Sequence, residues 1–391
     1  VMLKACIRET RDEAVATDVG SDGELEMQKE NRDILQLLEC KKDNFRFRKE
    51  IPLASSKPNI REILWRSVQV RGLESRLKNG EIELTGEILV YVLYLGEEDE
   101  ERLQWIETTV PLTGNVECGN CEENSIYRVS VSQRSNDIEV KPDYDGEMRI
   151  LNLDMVLDLD ICLWKEENME ILKDVYSLSK RVVPEYEQGV LPYLVAKNYA
   201  KCKIGDRIQL DGEQENILQI CICEGTVNIE NTEYRPEGVN VEGTLSVEVM
   251  YITTDDAMPV GTLKGLIGFE QLIEAPGADP ETEFELEAGI EQLGALLVDN
   301  TQVEVKAVVN LNLIAFENRK VEKLVSVREE GENLEELQRR PGIVGYIVKP
   351  GDSLWNIAKE NHTTMAELAA MNQLSSEEIE TGDKLLIVKK V

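Results

Sequence analysis

The chain has 391 residues, 42% of them hydrophobic, and its 76 acidic against 43 basic side chains leave a net charge of −33. That length suits two to four domains with packed cores, and that charge excludes nucleic acid and anionic membrane as main partners. No apolar run is long enough to span a bilayer, so no transmembrane helix is expected.

Residues 1–44 form a mixed, charged segment. Lys4, Arg8, Glu9, Arg11, Asp12 and Glu13 interrupt any apolar leader, so no signal peptide is expected. Gly20 to Gly23 is a loop. Ile34, Leu35, Leu37 and Leu38 suggest a short helix or strand, so the segment is expected to be mixed or partly helical. The eight cysteines (Cys6, Cys40, Cys118, Cys121, Cys162, Cys202, Cys221 and Cys223) are scattered, and they read as reduced thiols of a cytosol-like compartment.

The texture changes near Phe45. Phe45 to Ile51 alternates as a half-buried strand does, and Pro52 and Pro58 mark a loop. Ile63, Leu64, Val68 and Val70 follow, then Glu81–Gly86 and Glu87–Leu95, a candidate strand pair. Cys118-Gly-Asn-Cys121 has metal or redox spacing. The chain has no second CxxC, and its only histidine, His362, lies far downstream, so an ordinary loop is the reading and no metal or cofactor is expected. Ser125–Val131 and Leu151–Ile161 alternate again. Asp154, Asp158 and Asp160 fall on the solvent side of the latter.

The same order then returns. Val241–Ile252 superposes on Leu84–Leu95 at an offset of 157 residues, so that Gly86 and Gly243, Val90 and Val247, Val92 and Val249, and Tyr94 and Tyr251 coincide. Tyr127 falls on Phe284 at the same offset, and Asp158–Ile161 falls on Asn310–Leu313 after a short deletion. Two copies of one β-module, at 45–182 and 190–328, are expected. Short strands punctuated by Gly and Pro suggest that each is sandwich-like. Residues 329–345 are charged, end in Pro341-Gly342 before the next apolar run, and read as a linker.

The last stretch, 346–391, reads strand, helix, helix, strand. Tyr346-Ile-Val348 is β-branched and aromatic, Pro350-Gly351 is a turn, and Asp352 or Ser353 can cap a helix with Leu354, Ile357 and Ala358 on its apolar face. Thr364 to Glu367 has capping-box spacing. Leu368, Ala369 and Met371 continue a second helix, and Leu385–Val388 is a second strand. The fold class is therefore mainly β, two repeated sandwich-like modules followed by a small α/β domain.

The residues Tyr346 to Lys359, Thr364 to Leu368 and Thr381 to Val388 resemble a LysM domain, the module known for gripping N-acetylglucosamine polymers. The repeats resemble a domain of clostridial sporulation proteins, on Asp145-Gly-Glu-Met-Arg-Ile150, Asp174-Val-Tyr-Ser177 and Val241-Glu-Gly243 followed by Tyr251. Together the arrangement is similar to the family of clostridial spore-coat morphogenetic proteins of the SipL type. The resemblance implies a non-enzymatic scaffold in the mother cell, at the forespore surface and spore coat. It also implies a LysM domain that binds the coat morphogenetic ATPase of the SpoIVA type. That family usually carries a further copy in front of the first; here only residues 1–44 precede it.

In LysM domains two loops form the sugar groove, and here they correspond to Gly351, Asp352, Ser353 and Leu354 and to Asn372, Gln373, Leu374 and Ile379. Backbone groups in the turns can meet an N-acetyl group while Leu354 and Ile379 offer apolar contact. Gly351 and Asp352 serve turn and cap geometry equally well. Trp355 can stack on a sugar or a partner, or lie in the core. Both peptidoglycan chains and a partner protein remain open as ligands, and self-association through edge strands is possible. His362 is a solvated loop residue on this reading. Catalysis has no support: no Ser/His/Asp set can be assembled, no GxxxxGK[ST] loop is present, and no acid pair stands out among so many carboxylates.

Overall fold

Alternating apolar and polar side chains carry most of this chain into strands. The structure is a computed structural model, and it describes residues 12–20, 24–97, 103–212, 214–255, 257–331 and 342–388. In chain order the strands of the first copy are β1 (Leu25–Pro52), β2 (Ile60–Lys78), β3 (Glu81–Gly96), β4 (Leu103–Glu117), β5 (Ile126–Pro142) and β6 (Met148–Ser177). Those of the second are β7 (Arg181–Gln209), β8 (Ile217–Arg235), β9 (Gly238–Thr253), β10 (Val260–Glu274), β11 (Glu283–Asp299) and β12 (Gln302–Glu330). The last domain holds β13 (Ile343–Ile347), α1 (Leu354–Glu360), α2 (Met365–Met371) and β14 (Lys384–Val388).

Each copy builds two three-stranded sheets, ordered β2-β3-β4 and β1-β6-β5 in the first, β8-β9-β10 and β7-β12-β11 in the second. Strands β8, β9, β10 and β11 begin 157 residues after β2, β3, β4 and β5. The repeat read from side chains is thus a repeat of strands. It also starts earlier than Phe45: β1 and β7 occupy equivalent edges.

The larger compact unit comprises Leu35–Glu166 and Pro192–Asn318. In it the inward side chains of the first copy, Ile82, Leu84, Ile88, Val90 and Val92 of β3, face Leu151, Leu153, Met155, Leu157 and Leu159 of β6 in one apolar cluster. Most are fully inaccessible, and burial of such a side chain stabilises the fold by about 1.5–3 kcal/mol. Gly114 belongs to this closure, because a Cβ there would sit 2.2 Å from the Phe45 ring. Leu245, Val247 and Val249 of β9 face Val303, Val305 and Ala307 of β12 in the second copy. Leu89, Tyr91 and Leu93, on the other face of β3, meet Cys221, Ile222 and Met250 of the second copy. That double burial is why Ile88–Leu95 reads as an apolar run rather than an alternation.

The smaller unit comprises the described residues of Val1–Ile34, Glu167–Leu191 and Arg319–Val391. Ala16, Val19, Leu25, Leu172, Val175, Val182, Leu324 and Val327 form one of its clusters. Strands β1, β6, β7 and β12 each divide their length between the two units.

Three expectations are corrected. The segment expected to be mixed or partly helical is strand from Leu25 onward, and of the two readings of Arg32–Cys40 the structure has the strand, inside β1 and hydrogen-bonded to β6. Cys40 and Cys162 are joined by a disulfide, which strand pairing of β1 with β6 makes possible across 122 residues of sequence. Cys118, Cys121, Cys202, Cys221 and Cys223 are free and buried, and Cys6 lies outside the described residues. Finally, the ends of the expected linker are strand: Glu329 and Glu330 close β12 and Ile343 opens β13, while 332–341 lies outside the described residues. Among the described residues no helix is long and apolar enough to cross a membrane.

Candidate functional site

The last domain is built on two short helices whose caps are local chemistry. Gly351 takes φ +91°, a conformation that suits glycine. Of the two candidate caps Ser353 is the one used: its Oγ accepts the Asn356 N–H at 3.1 Å. Asp352 instead accepts the Lys349 N–H at 2.8 Å and the Tyr346 hydroxyl at 2.7 Å. Those donors hold its carboxyl below the usual range. Thr364 caps α2 through the Glu367 N–H at 3.0 Å. The Glu367 carboxylate in turn accepts the Thr363 hydroxyl at 3.2 Å.

Strands β13 and β14 pair antiparallel, from Ile343 opposite Val388 to Ile347 opposite Lys384. Val348, Leu354, Trp355, Ile357, Ala358, Leu368, Leu385 and Ile387 make the core, with Leu374 and Ile379 packed against it. The structure thus brings Leu354, Leu374 and Ile379 together, but as core. Leu354 and Trp355 are only 2% and 4% exposed, so of the two readings open for Trp355 the structure has the core one, and Leu354 lies there too. Asn372 is also committed: its amide donates to Leu386 O at 2.9 Å and accepts the Leu386 N–H at 2.6 Å. Gly351, Ser353 and Gln373 are exposed, and Asp352 is half-buried. Gln373 has φ +56°. What the two loops offer to a ligand is backbone and small polar groups.

The side chains that hold Trp355 come from far upstream. Its indole N–H donates to Asp174 Oδ2 at 2.7 Å. The Lys359 ammonium donates to both oxygens of the same carboxylate, at 2.6 and 2.7 Å, and the Tyr186 hydroxyl donates to Oδ1 at 2.9 Å. The Tyr176 ring meets Trp355 edge-on, with centroids 4.8 Å apart and planes at 72°, a favoured aromatic geometry. The Tyr176 hydroxyl donates to the Thr363 carbonyl at 2.8 Å. Burial pushes the Asp174 carboxyl upward, but the hydrogen bonds from Lys359, Trp355 and Tyr186 outweigh it, so the group sits below its ordinary value. Burial raises Tyr176 and Tyr186, which stay protonated donors. Sequence reading singled out Asp174 and Tyr176 only as part of a resemblance. No spacing pairs them with residues about 180 positions later.

Other candidates resolve into structure. Cys118 and Cys121 are buried, and burial together with their mutual hydrogen bond pushes the Cys118 thiol up to about 12, far from a reactive thiolate. The same turn in the second copy is Ala275-Pro-Gly-Ala278, closed by the matching backbone bond from Ala278 N to Ala275 O. The cysteines therefore occupy positions where the fold also accepts alanine. Asp154, Asp158 and Asp160 are ion-paired with Arg46 and Arg48, Arg134, and Arg128. Among the described residues no group of three or more His, Cys, Asp or Glu could hold a metal ion. Two shallow open depressions lie on the last domain. They are lined by Glu367, Ala370, Met371 and Val388, and by residues of β13 and β14 with Asn372, and neither includes the loop 351–355.

Two family profiles match the sequence. The SipL SPOCS-domain profile matches residues 59–141 and 216–314, that is, strands β2 to β5 and their repeat together with the start of β12. The LysM profile matches residues 346–388. No curated protein and no solved structure matches the chain.

Proposed function

For a chain of the SipL type, with two SPOCS segments followed by a LysM domain, we propose a non-enzymatic structural adaptor of endospore coat assembly. The SPOCS copies belong to the scaffold, and the LysM domain docks a coat morphogenetic ATPase at the surface of the forespore, on the mother-cell side. The contact runs through the two loops, with Gly351, Asp352 and Ser353 on one side and Gln373 on the other. Asn372, Leu374 and Ile379 support the second loop, and Leu354 and Trp355 support both from the core. The matched families are binding and structural domains, in keeping with an adaptor. The copies themselves are taken to span β1–β6 and β7–β12.

The observation that carries this reading is the clasp on Trp355. The Trp355 ring is turned inward to Asp174 and Tyr176 and does not face outward to stack on a sugar, and the half-buried Tyr346 gives its hydroxyl to Asp352 of the first loop. Protein contact through backbone and polar loop groups needs no such ring. The alternative, a peptidoglycan-binding protein of the wall or cortex, is favoured by the LysM match itself, and backbone groups in the loops could serve an N-acetyl group.

One experiment separates the two. The full chain is presented side by side to the purified ATPase and to insoluble sacculi, with and without chitin oligomers. Retention by the ATPase, lost in Gln373→Lys and indifferent to chitin oligomers, is the expected result. Pelleting with sacculi that chitin oligomers reverse, with no retention by the ATPase, would refute the adaptor reading in favour of the glycan one.

A further inference from the structure

The two copies meet inside the larger unit, and equivalent positions touch one another. Ser67 is the eighth residue of β2 and Glu224 the eighth residue of β8. The Ser67 hydroxyl donates to the Glu224 carboxylate. Arg128 is the third residue of β5 and Glu285 the third residue of β11. They form an ion pair at 2.6 Å with side chains 18% and 5% exposed. The apolar contacts follow suit: Trp65 and Ile222, both sixth in their strands, share one cluster. Trp164 and Phe316, which pair with the first residues of β5 and β11, share another.

A residue lies on one face of its module, so contact between equivalents requires both copies to present the same face. That is the isologous arrangement of a two-fold dimer, in which residues near the axis meet their own counterparts. At both polar contacts the second copy supplies Glu, where the first supplies Ser67 or Arg128. A pair of second copies would set Glu224 and Glu285 each against itself. Like charges forced together in a buried interface are strongly unfavourable.

We infer that the contacts Ser67–Glu224 and Arg128–Glu285 form a pairing code on a pseudo-two-fold axis, so that this face of a second copy accepts only a first-type copy as its partner. Within one chain the partner is the neighbouring module. Between chains, any exchange of modules would follow the same first-with-second rule. The charge asymmetry selects heterotypic pairing, while the flanking apolar clusters supply the attraction.

The symmetry makes an unusual demand that tests it. What matters at an axis is that one Glu meets one Ser, not which copy carries the Glu. Ser67→Glu in the full chain sets two carboxylates together; it is expected to lower the urea midpoint and raise the radius of gyration in small-angle scattering as the modules part. Adding Glu224→Ser, which exchanges the two residues across the axis, is expected to restore both quantities to near the wild-type values. If S67E does not accumulate as folded protein, recovery of folded protein in S67E/E224S is the result expected. A double variant no better than S67E overturns the inference, and so does an S67E protein with wild-type midpoint and radius of gyration.

Discussion

Removing the Tyr176 side chain tests the clasp at its most buried point. Tyr176 is 3% exposed, stacks edge-on against Trp355 and donates to the Thr363 carbonyl. Tyr176→Ala removes a ring from a closed cluster, a change that costs about 3–5 kcal/mol. Tyr176→Phe removes only the hydroxyl and leaves one carbonyl unpaired, which costs about 1 kcal/mol. The readout is hydrogen exchange at the Trp355 indole N–H, resolved among the four tryptophan signals of protein labelled with nitrogen-15 tryptophan. That N–H exchanges when Trp355 leaves Asp174. At about 1.4 kcal/mol per decade, Tyr176→Ala should therefore speed exchange by roughly two to three orders of magnitude, and Tyr176→Phe by about fivefold. An unchanged exchange rate in Tyr176→Ala would refute the argument, since it would mean that Trp355 is held without the ring.

Acid should open the same clasp. Asp174 has its folded pKa depressed below the ordinary 3.8, so its contribution is fully present above that value and is lost as pH falls through the lower folded one. The thermal midpoint should fall more steeply below that value in the wild type than in Asp174→Asn, and parallel curves would count against it. Cys118→Ala with Cys121→Ala should cost under about 1 kcal/mol in urea unfolding, because the second copy closes the same turn with Ala275 and Ala278 and a small cavity is all that is left; a cost of several kcal/mol would point to a role for the thiols. Cys162→Ser opens a cross-link spanning 122 residues. By loop entropy it should lower the stability of oxidised protein by up to about 5 kcal/mol, and the difference should vanish when both proteins are measured reduced.

The repeat was legible because strand patterning and glycine positions survive duplication: Gly86 and Gly243 or Tyr94 and Tyr251 announce one another, and the strands of the second copy begin where the first predicts. The early start of the module was not, because Leu25–Asn44 mixes charges with apolar residues on a strand with one face largely open to water and the other only half-buried. The disulfide was invisible for a related reason: Cys40 and Cys162 are adjacent only once β1 lies on β6. At the candidate site, caps and turns were readable from Gly351, Ser353 and Thr364, since those interactions span three or four residues. The fate of Trp355 was not. A Leu-Trp pair at the start of a helix fits a stacking platform and a core equally well, and the choice is made by Asp174 and Tyr176, on another strand.

That dependence bears on how the LysM domain is tested. Its own core is the nine-residue cluster of Val348, Leu354, Trp355, Ile357, Ala358, Leu368, Leu385 and Ile387 closed by Tyr176, and one of its largest members belongs to β6. Domains this small are marginal by surface-to-volume scaling alone. An excised module starting at Gly342 loses the Tyr176 ring and the Asp174 carboxylate, leaving Trp355 without its aromatic contact and Lys359 without its anion. The indole N–H turns to water, so the expected deficit is the roughly 3–5 kcal/mol of the lost ring, which is of the order of the whole stability of such a small domain. The excised module should therefore melt well below the Trp355 transition of the full chain, with red-shifted tryptophan emission at room temperature. Should it melt at the same temperature with the same emission, the clasp contributes nothing to folding. If it melts lower, loss of ligand binding in the excised module reports on its stability, and only the full chain reports on its specificity.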